Sequence, residues 1–320
     1  MTSGSHVLVT GGAGFIGSHL VDLLMSRGDR VTVLDKLTYA GSMANVAQHD
    51  GDERFAFVHG DVADERDVDA ALVDADAVVH AAAESFVDRS IADAGAFVRT
   101  NVVGTHVVLE ACRRRGIPMV YVSTDEVYGQ ADARAAEGFS EDALLLPRSP
   151  YAASKAGGDL LCRAYHVTYG LAVTVARGTN AYGPRQHPEK GLPTYALSAL
   201  QRVPIPVYGD GLHRREWLFV TDFARALAAI MERGQPGGVY NVGGGFELEN
   251  RELAARVCAL AGAPQTLITS VPDRPGHDRR YGLRWSRLAS LGWRPEVPFD
   301  DGLAVTVQWY RERLGAGVAG

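Results

Sequence analysis

Three groups of residues in this chain have types and spacings suited to chemistry: the carboxyl pair Asp125 and Glu126 directly after Thr124, the pair Tyr151 and Lys155, and the glycines Gly11, Gly14 and Gly17. Adjacent carboxyl groups can divide acid and base roles when their surroundings separate their pKa values. The protonated member can release a poor leaving group such as hydroxide, and the ionised one can abstract a carbon-bound proton acidified by a neighbouring ketone. Tyr151 and Lys155 are four residues apart, which places them on one face of a helix. A free tyrosine ionises near a pKa of ~10. A neighbouring ammonium favours the phenolate, which can then take the proton of an alcohol while hydride leaves the same carbon. The run Gly11-Gly12-Ala13-Gly14-Phe15-Ile16-Gly17 fits a tight turn that brings backbone close to a pyrophosphate.

The surrounding sequence supplies elements to hold these groups. His6–Thr10 is a short apolar run that predicts a buried strand, and Ser18–Arg27 repeats apolar residues at helical spacing. Arg30–Asp35 predicts the next strand. The glycine run thus lies between strand and helix, where the free N–H groups of a helix N-terminus bind anions. Asp35 ends the second strand near the ~20-residue offset expected for a group that binds ribose hydroxyls. A carboxylate there disfavours a 2′-phosphate, so NAD is expected over NADP. Further strands are predicted at Phe55–His59, Ala77–His80, Pro118–Ser123 and Leu218–Asp222. Helices are predicted at Asp67–Leu72, Phe97–Arg115, Thr194–Gln201, Phe223–Glu232, Arg251–Leu260 and Asp301–Leu314. Ser149-Pro150 marks the start of the helix carrying Tyr151. Alternation of strand and helix implies α/β architecture: a Rossmann-like, doubly wound parallel sheet. The pattern changes after Thr179, which predicts a smaller, interleaved C-terminal α/β lobe. The expected division is 1–179 plus about 217–238 for the dinucleotide-binding domain, and 180–216 plus about 239–320 for the substrate lobe.

Asp125 and Glu126 follow a buried strand, and ligands gather at the carboxyl ends of parallel strands. Neighbours in a regular strand point to opposite faces. Both acids can therefore serve one substrate only if the chain leaves extended geometry at Asp125. The net charge of −6 gives nucleic acid no electrostatic support, so an anionic ligand needs a local cluster of cations. Three scattered cysteines, Cys112, Cys162 and Cys258, lack metal or redox spacing, and no metal is expected. No apolar run is long enough to span a bilayer, no leader pattern opens the chain, and the cytoplasm is the default expectation.

Several stretches together resemble the dTDP-glucose 4,6-dehydratases of the extended short-chain dehydrogenase/reductase superfamily, over about residues 6–310. They are Leu34–Gly41, Ala83–Ser90, Thr124–Gly129, Ser149–Lys155, Pro188–Lys190 and Arg274–Tyr281. The resemblance implies a cycle that regenerates NAD and yields a 4-keto-6-deoxy sugar. Tyr151 would take the O4 proton, Lys155 would tune it, and Thr124 would hydrogen-bond O4. Glu126 would remove the C5 proton, and Asp125 would protonate the departing C6 hydroxyl. Gly11, Gly14, Phe15, Ile16, Gly17, Asp35, Lys36, Leu37, Thr38, Gly41, Asp61, Val62, Ala81, Ala82, Ala83, Ser85, Thr100, Tyr151, Lys155 and Ala181 would form the NAD site. Ser85, Thr124, Asn180, Lys190, Pro206, Val207, Tyr208, Arg215, Asn250, Asp273, Arg274 and His277 would hold the dTDP-glucose. The family also implies a homodimer through two long helices per subunit, 97–115 and 151–169.

The sequence departs from the family at Phe86 and Ala181, which replace His and Asn, at Gly191, and in a short loop between Gly129 and Pro147. None of these removes a catalytic residue. A UDP-sugar 4-epimerase would need Tyr151, Lys155 and NAD but not Asp125 or Glu126. A GDP-mannose dehydratase usually prefers NADP, which Asp35 disfavours. A non-catalytic NAD-sensing regulator would need no intact set of acids, Tyr and Lys.

Overall fold

The computed structural model describes residues 4–131 and 138–315. Residues 1–3, part of the short loop after Gly129, and the end of the lobe expected to reach residue 320 lie outside the described residues. The main sheet contains β1 (His6–Thr10), β2 (Arg30–Asp35), β3 (Phe55–His59), β4 (Ala77–His80), β5 (Met119–Thr124), β6 (Val173–Gly178) and a later strand, β10 (Val239–Val242). Its order is β10-β6-β5-β4-β1-β2-β3, parallel throughout. The chain runs outward from β1 to β3 and then returns to β4 on the other side. The crevice at the carboxyl ends of β1 and β4 is thus a topological switch point, where such sheets bind ligands.

Both sheet faces are covered, as parallel sheets require. On one face the core joins α1 (Phe15–Ser26) and α8 (Val220–Arg233) to the sheet. The other core joins α2 (Glu65–Ala71), α5 (Thr105–Arg115) and α6 (Pro150–Tyr169). Two short helices, α3 (Val87–Ala92) and α4 (Ala94–Val98), precede α5. The single helix expected over 97–115 is broken by a π-helical segment, Arg99–Gly104. Within it Asn101 receives Glu84 N–H at 2.9 Å and donates to Glu84 O at 3.0 Å and Ser154 Oγ at 2.8 Å. Tertiary hydrogen bonds therefore fix the bulge that brings Thr100 to the cavity described below.

The smaller lobe holds a sheet of β7 (Asn180–Tyr182), β9 (Arg214–Phe219) and β11 (Phe246–Glu249), and a pair of β8 (Ile205–Tyr208) with β12 (Ile268–Val271). Around it pack α7 (Gly191–Gln201), α9 (Asn250–Ala261) and α11 (Phe299–Gly315), with α10 (Ser286–Ser290) lying outside that core. Two expectations need correction. The strand expected over 218–222 runs over Arg214–Phe219 and belongs to the small sheet, while Val220-Thr221-Asp222 already opens α8. The boundary near 238 also moves, because Val239–Val242 pairs with β6 and ends the main sheet.

Candidate active site

One cavity runs along the carboxyl ends of the main sheet. It is lined by Gly11, Gly14, Phe15, Ile16, Gly17, Asp35, Lys36, Thr38, Gly41, Asp61, Val62, Ala81, Ala82, Ala83, Ser85, Thr100 and Ala181 from the expected cofactor set. The glycine turn is sterically fixed. A Cβ on Gly17 would lie 2.1 Å from the Gly11 carbonyl oxygen, and one on Gly11, where φ is +70°, would lie 2.7 Å from Ala82 backbone. At Gly14 a Cβ would lie 3.2 Å from the Gly11 carbonyl oxygen, a tight contact, and Gly14 lines the cavity. Asp35 receives Ala13 N–H at 3.0 Å and Leu37 N–H at 2.8 Å. Each oxygen keeps a lone pair for a ribose hydroxyl. Lys36 pairs with Asp61 at 2.8 Å. The buried Ser123 hydroxyl on the cavity wall has no partner among the described residues, so it remains available to an occupant. Glycine cradle, paired carboxylate and unused hydroxyl together fit NAD. Leu37 does not line the cavity; its backbone, at φ +51°, serves Asp35.

The catalytic candidates meet at the inner end. β5 ends at Thr124, and Asp125–Tyr128 forms a 3₁₀ turn capped by Thr124 Oγ1, which accepts Glu126 N–H at 3.3 Å. This turn takes the chain out of extended geometry, so Asp125 and Glu126 line the same cavity as Thr124 and Tyr151. Tyr151 is placed by α6, with Ser149 as N-cap and Pro150 in the first turn. Lys155 lies one turn further into the core and does not line the cavity. Its buried ammonium needs an acceptor and donates to Val122 O at 2.6 Å, over the Tyr121 ring. Burial lowers its pKa to about 7. Burial pushes the Tyr151 phenol well up, reinforced by Glu126 and Asp125, while a hydrogen bond to Thr124 opposes the rise.

The two acids occupy different electrostatic settings. Asp125 is raised to about 8, first by burial and then by the Glu126 and Glu216 carboxylates. Glu126 is raised by burial, but Arg274, Lys190 and Arg215 oppose it. Asp125 therefore keeps its proton near neutrality, while the Glu126 carboxyl, also raised by burial, faces cations that favour its ionised form and oppose the rise. The same three cations form the local positive cluster that an anionic ligand needs in a chain of net charge −6.

Asn180 and Lys190 line the cavity beside Ser85, and Lys190 Nζ donates to the Ser85 carbonyl. The rest of the expected substrate set lies on the small lobe. Arg215 stacks over Tyr281 at 4.4 Å and donates to His277 Nε2 at 2.8 Å. Arg274 lies 5.9 Å from the Tyr208 ring centre, and Tyr208 meets His277 edge-on at 5.7 Å. Pro206 sits on β8 beside Val207, while Asn250 starts α9. Val207 is 2 % exposed and belongs to the lobe core, not to an open binding surface. His213, Asp273 and His277 lie close enough to gather around a cation. However, His277 Nδ1 bonds Asp273 at 2.6 Å and its Nε2 accepts from Arg215. Coordination would break one of these bonds. Thr179 and Glu216, both beside Asp125, were not singled out in the sequence. The rule that ligands sit at strand carboxyl ends could have found Thr179, one residue beyond β6.

The family model described as GDP-mannose 4,6 dehydratase matches residues 8–306. The chain is 50% identical over 315 residues to a dTDP-glucose 4,6-dehydratase of Actinoplanes, covering 95% of this chain and 97% of the relative. Its structure resembles the dTDP-glucose 4,6-dehydratase DesIV of Streptomyces venezuelae, solved with NAD bound, at TM-score 0.94 and 49% identity, covering 97% of this chain and 98% of the other. A Thermus thermophilus UDP-glucose 4-epimerase with NAD shares the fold at TM-score 0.89 and 36% identity, covering 96% and 99%. Both activities thus occur on this scaffold. The chain belongs to the dTDP-glucose 4,6-dehydratase family of the extended short-chain dehydrogenase/reductase superfamily.

Proposed function

We propose that the protein converts dTDP-glucose to dTDP-4-keto-6-deoxyglucose by oxidation at C4, loss of water across C5 and C6, and reduction at C6. The observation that carries this reading is the split between the two acids, with Asp125 proton-holding among carboxylates and Glu126 facing three cations. Lys190, Arg215 and Arg274 hold the diphosphate end, and Asn180 meets the sugar. Thr124 hydrogen-bonds O4 while Tyr151 takes its proton. Bound NAD supplies the reversible hydride acceptor and a positive charge that favours the Tyr151 phenolate. The C4 ketone acidifies C5–H, and Glu126 removes that proton. The C5–H electron pair becomes the C5=C6 bond, the C6–O bond breaks, and Asp125 delivers its proton to the departing hydroxide as water. Glu126 then returns a proton to C5 as C6 takes back the hydride that the bound cofactor would have received from C4.

Proton NMR of the protein with dTDP-glucose in D₂O tests this. A C6 methyl signal with deuterium at C5 is the expected result. A galactose-configured product without a methyl would replace the reading with epimerisation.

We further propose a homodimer through α5 and α6. Among the described residues no helix is long and apolar enough to cross a membrane. Yet Val98 on α4 and Val103 in the π segment leading into α5 are exposed, as are Leu160, Val167 and Tyr169 on α6. Large apolar side chains left exposed on packed helices mark an association surface. Light scattering should give twice the chain mass for the wild type and the single chain mass for Leu160→Glu with Val167→Glu. An unchanged monomeric wild type would end this proposal.

A further inference from the structure

Thr179 sits between β6 and β7, where the two lobes meet. Its N–H donates to Val242 O of β10 at 3.0 Å, which fixes its backbone to the main sheet. Its hydroxyl lies 3.1 Å from the Glu216 carbonyl oxygen of β9 and 3.2 Å from Asp125 Oδ2. The residue is 6 % exposed and lines the cavity. A threonine hydroxyl carries one hydrogen, and a backbone carbonyl only accepts. Both contacts can be hydrogen bonds at once only if Thr179 donates to Glu216 and Asp125 donates to Thr179. The acid hydrogen of Asp125 then belongs on Oδ2, the oxygen that faces Thr179. Once Asp125 has given up that proton, Oδ2 only accepts. A turn about the Thr179 Cβ–Oγ1 bond then moves the hydroxyl hydrogen from Glu216 to Asp125.

We propose that Thr179 is a positioning residue for the elimination step: its hydroxyl accepts from Asp125 before proton delivery and donates to it afterwards. No bond to Thr179 forms or breaks. The Asp125 proton leaves on the water, and the C6–O electron pair leaves with it. The inference rests on the dehydratase reading above, since only elimination takes Asp125 through both protonation states. Donation to a carboxylate is charge-assisted and stronger than acceptance from the neutral acid. Removing the hydroxyl therefore penalises the carboxylate more. Asp125 is otherwise faced by Glu126 on its own turn, Glu216 and Arg215 on β9, Thr124 on β5, and the Tyr151 and Tyr281 phenols.

The test compares Thr179→Val, close to threonine in shape, with Thr179→Ser, which keeps the hydroxyl. Each is followed through one turnover of dTDP-glucose across a range of pH. For Thr179→Val the expected result is methyl formation slowed about ten-fold, as for loss of one hydrogen bond in a transition state. Substrate KM and the oxidation rate should be unchanged, so reduced cofactor builds up. The alkaline limb of the elimination rate should move to higher pH, because the lost donor stabilised the carboxylate. Thr179→Ser should restore rate and limb. The proposal is overturned if Thr179→Val eliminates at the wild-type rate, if oxidation and elimination fall together, or if Thr179→Ser is as slow as Thr179→Val. A wild type that forms no methyl group overturns the dehydratase reading itself, and this inference with it.

Discussion

Asp125→Asn should oxidise the sugar and then stall. The amide has no acidic proton for the C6 hydroxyl, so reduced cofactor accumulates while methyl formation drops by about 10²–10⁴-fold, the usual worth of a positioned acid. Glu126 remains in place opposite its cations, so the C5 proton should still exchange with D₂O from the trapped ketone. Glu126→Gln should trap the same ketone but lose that exchange. Equal exchange in the two variants would refute the assignment of acid to Asp125 and base to Glu126. The wild-type pH dependence has a definite sign. Asp125 must be protonated, so elimination should fall as pH rises through about 8. Glu126 must be ionised, so the rate should also fall on the acid side.

Arg177→Ala should destabilise the fold by about 3–5 kcal/mol, the range for stripping one partner from a buried ion pair. Arg177, at 5 % exposure on β6, forms two parallel bonds to Asp159 on α6, at 2.8 and 2.9 Å. It also donates to Tyr128 Oη at 2.9 Å and Glu141 O at 3.1 Å. The pair lies buried at 7 % and 3 % side-chain exposure, where solvent screening is weak. Removing the guanidinium leaves the Asp159 carboxylate buried without its charge partner. The consequence reaches the site, because Tyr128 ends the 3₁₀ turn of Asp125 and Glu126, and Asp159 lies two turns beyond Tyr151 on α6. Denaturant unfolding would measure the loss. Replacing both partners by apolar residues, Arg177→Met with Asp159→Leu, should recover most of it. A single variant within 1 kcal/mol of wild type, on the same order as an exposed pair, would contradict this account.

The glycine turn, the Tyr151 helix and the acid pair were readable in the sequence because each is set by local rules: a turn that excludes Cβ atoms, a capped helix, and a strand end. β7, β8, β11 and β12 were not readable. Each has three or four residues, too few to show an alternation, in segments dense with Pro, Gly and charge. Val220 and Thr221 are β-branched and favour a strand by propensity. The buried face of α8 outweighs that preference. The π segment at Arg99–Gly104 depends on Glu84 and Ser154, distant in the chain, and no local pattern announces it. Thr179, Glu216 and Arg177 escaped notice for the same reason. Their importance comes from partners far away in sequence, whereas Tyr151 carries a signature in its neighbours.

Glu216 Oε2 accepts Leu283 N–H at 2.8 Å, and its Oε1 accepts Gly245 N–H at 2.6 Å. The strand that closes the main sheet, β10, arrives only after the first part of the small lobe, β7 to β9, has been threaded through. During synthesis β6 therefore waits as an open sheet edge until residue 242 has emerged. The charge and carbonyl that govern the Asp125 proton are fixed only when residue 283 has folded back. A growing chain would thus acquire its dinucleotide cradle early and its acid last. Partly made protein could hold the cofactor, but it would lack the surroundings that set the Asp125 proton and the means to expel water from a sugar.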